Sequence, residues 1–366
     1  YSALATQNFT TATNSENTAV GYGAGSAVTT GRNNTLVGAD SGDALTTANS
    51  NVAVGLQALS TDTKGDNSVA IGENALLTQN FTTSTDTYNT AVGSNAGRSV
   101  TVGVQNVLIG ALTGDALTDA DFNVAVGQAA LGADTKGNFS VAIGHNALTA
   151  QNFTTSTDAK NVAVGSGAGF AVTTSTNNVL IGHQSGLAMT TGDRNTLVGS
   201  QSGDAITTGA ANVALGYEAL GANTTANSNT AIGSFSLDAN TTGGDNTAVG
   251  STSLGTNTTG DSNVAVGVAA LTANTASNKN TAIGGASLSS FNVTTDTDTF
   301  NTAVGYGSGQ SLTTGQSNTL IGALAGDALT TANSNVAVGG SALTADTLGA
   351  RSVAIGQGTL GLQNFT

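Results

Sequence analysis

The strongest constraint on the fold of this 366-residue chain is a five-residue pattern that returns with a fixed period. The pattern is Asn/Ser, Thr/Val, Ala/Leu, Val/Ile and Gly, and Leu215 is its one departure. It occurs 20 times between Gly21 and Gly356, and of the 19 spacings sixteen are 17 residues and three are 21. A flexible glycine-rich linker imposes no fixed spacing on its residues, so the pattern indicates a repeat architecture.

Each pattern is a short β-branched run closed by glycine, which predicts one β-strand per repeat. Strands stacked in register pair their backbone groups with the turns on either side, at about 4.8 Å per turn. The predicted fold is therefore an all-β parallel β-solenoid (β-roll) of about 20 turns, with 17-residue repeats and three 21-residue turns. Residues 1–366 are expected to form one continuous array within a longer fibre. The chain has no proline, as a ladder that uses nearly every N–H requires.

Three further columns predict how the interior is filled. The recurrent Asn is expected to form a ladder of side-chain amides that satisfies buried polar groups. The residue four after the glycine is Leu in eleven turns and Gly in nine, and in those nine a large aliphatic residue or Met follows three residues later. Each turn thus supplies one large side chain to a slot of fixed volume. Thr stands eight residues after the glycine in all sixteen short turns.

The strand pattern predicts apolar or small side chains on both faces of the sheet. Because successive side chains point to opposite faces, the Val/Ile and Thr/Val positions share one face of the sheet. The Ala/Leu and Asn positions share the other face. This is typical of a strand that is buried on two sides, whereas a single solenoid has one interior. The second face needs another cover, and we expect another copy of the chain to supply it.

The repeats also resemble a known family. The stretch from Asn67 to Gly72, Asn-Ser-Val-Ala-Ile-Gly, and its counterparts ending at Gly144 and Gly356 resemble the head repeat of the YadA-like trimeric autotransporter adhesins. The variant that ends at Gly21 is similar to repeats of bacteriophage and bacterial tail-fibre-like proteins. The resemblance covers essentially the whole chain. It implies a homotrimer of parallel β-rolls, usually left-handed, that works as an extracellular attachment rod on a virion or a bacterial surface.

Candidate contact residues come from two places. The three long turns contain phenylalanines and close a 72-residue block, first seen from Gly21 to Gly93 and again to Gly165. These turns are either loops packed on their own chain or a neighbour, or periodic contact or glycan-binding loops. The variable position after the repeat glycine carries tyrosines. The predicted surface contacts are Tyr22, Tyr217, Tyr306, Phe81, Phe153 and Phe291.

Composition excludes several classes of function. With 8 Lys and Arg against 22 Asp and Glu, the net charge of −14 argues against nucleic-acid binding. No apolar run approaches the roughly 20 residues that cross a bilayer, so no membrane insertion is expected in this segment. The absence of cysteine removes disulfides and thiolate sites.

Reactive groups are few, and we predict no catalytic site, cofactor or metal. His145 and His183 lie two turns apart, about 10 Å by strand spacing, which is too far to share one metal. Aspartates recur in a Gly-Asp-Ala context and form either a solvated rim or, across three chains, a cation site. Asn-Phe-Thr and Asn-Thr-Thr triplets are expected by chance in such a composition. The four aspartates are Asp43, Asp115, Asp204 and Asp327.

The sequence therefore predicts a non-enzymatic, extracellular fibre that extends from a virion or cell surface and attaches to a host receptor or glycan. Two alternatives stay open at this point. One is a self-assembling structural filament with no receptor. The other is an ice-binding solenoid that orders water along its Thr column.

Overall fold

The structure, a computed structural model, describes residues Ser2 to Phe365. The chain divides into two compact units, Tyr1–His183 and Gln184–Thr366. Within the described residues both units contain strands, turns and bends and no helix. Each unit has ten three-residue strands, one per turn, so the prediction of an all-β parallel solenoid of about 20 turns is confirmed.

The first unit contains ten three-residue strands and four two-residue strands. The three-residue strands form one parallel ladder, and the two-residue strands pair as β4 with β6 and β10 with β12. In chain order the strands are β1 (Thr18–Val20), β2 (Thr35–Val37), β3 (Val52–Val54), β4 (Gly65–Asp66), β5 (Val69–Ile71), β6 (Thr85–Asp86), β7 (Thr90–Val92), β8 (Val107–Ile109), β9 (Val124–Val126), β10 (Gly137–Asn138), β11 (Val141–Ile143), β12 (Thr157–Asp158), β13 (Val162–Val164) and β14 (Val179–Ile181).

The second unit repeats this arrangement with ten three-residue strands and one two-residue pair, β20 with β22. Its strands are β15 (Thr196–Val198), β16 (Val213–Leu215), β17 (Thr230–Ile232), β18 (Thr247–Val249), β19 (Val264–Val266), β20 (Ser277–Asn278), β21 (Thr281–Ile283), β22 (Thr297–Asp298), β23 (Thr302–Val304), β24 (Thr319–Ile321), β25 (Val336–Val338) and β26 (Val353–Ile355).

Equivalent residues of successive turns face each other in the ladder. In β1 and β2, Ala19 is opposite Leu36 and Val20 is opposite Val37. The N–H of Gly38 donates to the carbonyl of Val20 at 2.8 Å. Loop residues keep the same register, and the N–H of Asp40 donates to Tyr22 O at 2.8 Å. Because strands and loops both hydrogen-bond from turn to turn, a change in the path of one turn must be accommodated by the next.

The four extra residues of a long turn form an arm that keeps this pairing. In the first unit, Gly65 is opposite Thr85 and Asp66 is opposite Asp86, so β4 and β6 make a short parallel ladder beside the main one. The second long turn does the same with β10 and β12, and the third with β20 and β22. An insertion is thus tolerated where its own backbone finds a partner in the adjacent turn.

The middle residue of each three-residue strand points into the interior together with the recurrent Asn. Leu36, Ala53 and Asn34 are fully buried. The Oδ1 of Asn34 accepts the N–H of Asn51 at 3.0 Å, and its Nδ2 donates to Ala48 O at 2.9 Å. The predicted amide ladder is therefore confirmed, with most of its bonds to backbone rather than to other amides. Among the described residues, no buried side-chain N or O lacks a hydrogen-bond partner.

The glycine that closes each strand is required by its backbone. Gly21 has a φ of +140°, and a Cβ placed on it would lie 2.3 Å from the carbonyl oxygen of Gly38. Side chains rarely adopt such a φ, and the clash is with backbone that cannot move aside. The same contact recurs from turn to turn, so this column admits glycine alone.

The exchange of Leu and Gly four residues later reflects one slot filled in two ways. Leu131 occupies this position with a φ of +54°, at a backbone cost of roughly 1–2 kcal/mol, and its side chain is fully buried. Gly114 takes the same position one repeat earlier, where a Cβ would lie 2.8 Å from Leu108 Cδ2 and 2.9 Å from Leu117 Cδ1. Each strand with Leu in its middle is therefore followed by Gly at this position, whereas a strand with Ala is followed by either Leu or Gly.

This coupling makes a prediction for the Gly114→Leu variant. The added side chain overpacks the space held by Leu108 and Leu117, and we expect the free energy of unfolding to fall by about 1–3 kcal/mol in urea denaturation. The added Leu108→Ala change opens that space. The double variant should therefore lose less stability than the two single losses added together. Additive losses would show that the two positions are independent.

Candidate functional site

The first candidate surface is the outer sheet face, which we define as the first and third residues of each three-residue strand. In the first unit Ile109 and Ile143 are 39% and 38% exposed. In the second unit Ile283 and Ile321 are each 39% exposed. Their neighbours in the Thr/Val column are half-buried or exposed. The third residue of every three-residue strand is Val, Ile or Leu, so each unit presents an apolar column ten strands long beside the Thr/Val column. On the opposite face the middle residues are buried, except Ala19 of β1, which is half-buried.

The second candidate surface is the position that follows the repeat glycine. Tyr22, Tyr217 and Tyr306 are 63%, 46% and 68% exposed, so their rings can reach another molecule. The Tyr217 ring lies edge-on against Phe235 of the next turn, with centroids 5.4 Å apart. A hydrogen bond to Glu218 and the nearby carboxylates raise the pKa of Tyr217, which keeps its hydroxyl neutral.

The three predicted phenylalanine contacts are buried, which corrects the prediction for these residues. Phe81 and Phe153 are 7% and 6% exposed, and Phe291 is fully buried. Phe291 also stands in a different column. It follows its repeat glycine by seven residues, whereas Phe81 and Phe153 follow theirs by nine. Of the two interpretations of the long turns, these rings favour loops packed on their own chain.

An exposed aromatic column, which was not predicted from the sequence, lies immediately before the recurrent Asn or Ser. Phe122 and Phe139 occupy it on successive turns, and their rings stack with centroids 4.8 Å apart and planes 2° from parallel. In the second unit Lys279 Nζ lies 5.5 Å from the centroid of Phe300. The signal was available, because alignment of the repeats places these aromatics in one column. Tyr88, Phe122, Phe139 and Phe300 are between 42% and 55% exposed.

The long turns also contain a buried polar cluster that the repeat pattern did not reveal. We call Asp62, Ser68, Gln79 and Asn89 the long-turn cluster. Ser68 stands at the position where most turns have the recurrent Asn. The Nε2 of Gln79 donates to Asp62 Oδ2 at 2.6 Å and to Ser68 Oγ at 2.8 Å, and its Oε1 accepts from Asn89 Nδ2 at 2.9 Å. The longer Gln side chain thus fills the space that the shorter Ser leaves.

A second long-turn cluster contains Asp134, Ser140, Gln151 and Asn161 with the same bonds. In the third long turn the set changes together, since Asn274, Asn280 and Phe291 stand where the others have Asp, Ser and Gln. Asn274 donates to Asn257 Oδ1 at 2.9 Å, so an amide ladder continues to this point. Both sets satisfy the buried groups, and their role is structural.

The remaining candidate groups are not brought together. His145 and His183 are both exposed. The four aspartates of the Gly-Asp-Ala context are half-buried, and two of them accept hydroxyls: Ser60 donates to Asp43 Oδ1 at 2.7 Å and Thr344 to Asp327 Oδ1 at 2.5 Å. In residues 2–365 no three His, Asp or Glu side chains are placed to hold a metal ion.

The hydroxyls of the Thr column are used between turns. Thr46 Oγ1 donates to Thr63 O at 3.0 Å, and Thr118 Oγ1 donates to Thr135 O at 3.0 Å. The same bond recurs in the second unit, where Thr207 donates to Thr224 O at 3.0 Å. Because these protons are engaged within the chain, the column is poorly suited to order a layer of water, as the ice-binding alternative requires.

Comparison with known proteins adds no assignment. The chain matches no protein-family model, and no curated protein is similar to it in sequence. Separately, the described residues include no helix of the length and apolarity needed to cross a membrane.

The long-turn clusters make a prediction about pH. Burial raises the pKa of Asp134 above its ordinary value, against the hydrogen bonds donated by Gln151, Phe153 and Gly137. Its charged form therefore costs folding free energy at neutral pH, and this cost is relieved as the pH falls through the raised pKa. Selective ¹³C labelling of aspartate should show the Asp134 carboxyl titrating above 3.8.

Asp346 is the internal control for that titration. Burial is the largest single effect on it and raises its pKa. The hydrogen bonds from Gly349 N–H, Phe365 N–H and the Gln363 side chain together outweigh burial and leave the pKa below the ordinary value. The pKa of Asp134 should therefore lie above the ordinary aspartate value and the pKa of Asp346 below it. Coincident titrations would contradict the effect of burial on Asp134.

Proposed function

We propose that this chain is part of a homotrimeric extracellular fibre that attaches a virion or a bacterial cell to a surface. The observation that carries the proposal is the outer sheet face, where each strand exposes apolar side chains in a continuous stripe. Contiguous exposed apolar surface of this kind marks an interaction site. The same residues fill the same columns in every turn, so an identical chain offers a matching repeat along the whole stripe.

The composition of the exposed positions supports attachment rather than chemistry. The polar atoms of the interior are hydrogen-bonded within the chain, and the described residues bring no metal-binding group together. Exposed tyrosine rings directly follow the repeat glycine in three of the 20 turns, and such rings suit contact with receptors or sugars. The function proposed for the solenoid is therefore to hold these positions apart on a stiff support.

The oligomeric state tests the first half of the proposal. Native mass spectrometry at micromolar concentration should give three times the 35.4 kDa mass of one chain. The variant Ile109→Lys with Ile143→Lys places charges in the outer sheet face and should dissociate the assembly, because the charges would be buried without partners. The control Thr83→Lys with Thr155→Lys adds the same charge at two exposed positions of the long turns and should stay trimeric. A monomeric parent chain would refute the trimer.

Receptor binding tests the second half. The variant with Tyr22, Tyr217 and Tyr306 each changed to Ala should lose surface-glycan binding by about tenfold or more, because exposed aromatic anchors dominate such contacts. A glycan array with the chain displayed at high valency measures this. Thr83→Ala with Thr155→Ala and Thr295→Ala, three exposed residues of the long turns, is the matched control. Silence of the parent chain on every glycan and on host cells would favour a filament with no receptor.

A further inference from the structure

Two sets of Asn-x-Thr triplets in this chain differ in their exposure, and the triplet at Asn33, Asn-Asn-Thr, belongs to neither set. Asn223, Asn240 and Asn257 begin Asn-Thr-Thr triplets, and their side chains are fully buried in a second interior amide ladder. Asn240 Nδ2, for example, donates to Asn223 Oδ1 at 3.3 Å and to Gly243 O at 2.9 Å. The triplets that begin at Asn80 and Asn152 are different, because both asparagines are exposed. Because they are buried, Asn223, Asn240 and Asn257 are not accessible to a modifying enzyme.

The exposed group occupies one defined place in the fold. Eight residues after the repeat glycine, where every short turn has Thr, each long turn has Asn: the exposed Asn80 and Asn152 and the half-buried Asn292. The backbone ladder runs through this place unchanged, and Asn80 N–H donates to Thr101 O at 2.9 Å. Asn8 begins the same Asn-Phe-Thr triplet and bonds in the same way to Thr29 O at 2.9 Å. The recurrence is therefore positional, which chance in an Asn/Thr-rich chain does not explain.

The fold uses only half of each amide. The Oδ1 of Asn80 accepts from Thr63 Oγ1 at 3.3 Å, and that of Asn152 accepts from Thr135 Oγ1 at 3.1 Å. The Oδ1 of Asn292 accepts from Thr275 Oγ1 at 2.7 Å. Within residues 2–365 the Nδ2 groups of these three asparagines donate no hydrogen bond. A substituent on Nδ2 would therefore leave every hydrogen bond of the fold in place.

The third residue of each triplet has no evident part in the fold either. Thr82, Thr154 and Thr294 are exposed. In the described part of the chain their hydroxyls make no hydrogen bond. Thr nevertheless returns at this position in each long turn, although many residues would be tolerated on an exposed arm. The Thr column thus keeps its identity without a structural role for its hydroxyl, and the fold uses the Asn column only through Oδ1.

We propose that Asn80, Asn152 and Asn292 are attachment sites for N-linked sugars. Asn-x-Thr is the acceptor sequence for this modification, and its natural place is a surface loop. A transferase would join Nδ2 to the anomeric carbon of a sugar carried on a pyrophosphate donor. The C–N bond forms, the bond from the anomeric carbon to the phosphate oxygen breaks, and Nδ2 gives up one proton as the pyrophosphate leaves. Asn80 and Asn152 are four turns apart, so their sugars would stand about 19 Å from each other.

Peptide mapping of the protein purified from the cells that produce it tests the proposal. After elastase digestion, electron-transfer fragmentation should find sugar mass on the peptides that contain Asn80, Asn152 and Asn292. Peptides with Asn223, Asn240 and Asn257 should carry none. Unmodified Asn80, Asn152 and Asn292 would overturn the proposal, whatever the oligomeric state of the chain.

Two variants made in the same cells distinguish recognition of the acceptor triplet from an effect on folding. Thr82→Val removes the acceptor triplet from an exposed position and should abolish sugar at Asn80, while Asn152 keeps it. Thr82→Ser preserves the triplet and should keep sugar at Asn80. Because the Thr82 hydroxyl has no partner in the described chain, neither change should affect folding, and circular dichroism checks this. Sugar retained at Asn80 in Thr82→Val would contradict recognition of the triplet.

Discussion

Hydrogen bonding from each turn to the next, in strict register, is the interaction on which the rest of this structure depends. It extends beyond the strands, since loop residues such as Asp40 bond to their equivalents one turn away. A proline anywhere in the turn would remove a donor from this ladder, and the chain has none. The glycine that closes each strand follows from the same constraint, because a Cβ at Gly21 would strike the Gly38 carbonyl. Period, composition and tolerance to insertion thus have one cause.

Packing of the interior adds a second constraint. Neighbouring side chains vary together, so that the same volume is filled and the buried polar groups keep their partners. A strand with Leu108 in its middle requires Gly114, whereas a strand with Ala125 is accompanied by Leu131. Polar positions follow the same logic. Gln79 reaches over the short Ser68, and where Asn280 is retained the corresponding place is filled by Phe291. Single positions in this core therefore change only together with their neighbours.

Much of this was predictable from the sequence because the repeat turns one-dimensional spacing into spatial position. The strand, the Asn ladder and the Leu/Gly exchange were each visible as columns, and the structure bears them out. The failure at Phe291 came from grouping residues by type within the long turns, because its distance of seven residues from the preceding glycine is that of the buried Leu45. The burial of Phe81 was not visible in the spacing, since the equivalent Thr47 of a short turn is exposed. The long-turn cluster was hidden for another reason. Its members come from two turns, and the hydrogen bonds of Gln79 to Asp62 depend on how far a side chain reaches, which spacing does not contain.

The same geometry limits how such a chain acquires a contact surface. A side chain in one column meets its counterpart one turn away, so an extended patch requires the same kind of residue in adjacent turns. The stacked rings of Phe122 and Phe139 and the edge-on pair of Tyr217 and Phe235 meet this condition. Tyr22 and Tyr306, in contrast, have small residues, Ala39 and Ala323, at the same place in the following turn. The exposed aromatic patches of this scaffold are therefore small and widely spaced, and strong attachment through them would require several to be engaged at once, because linked weak sites multiply in affinity.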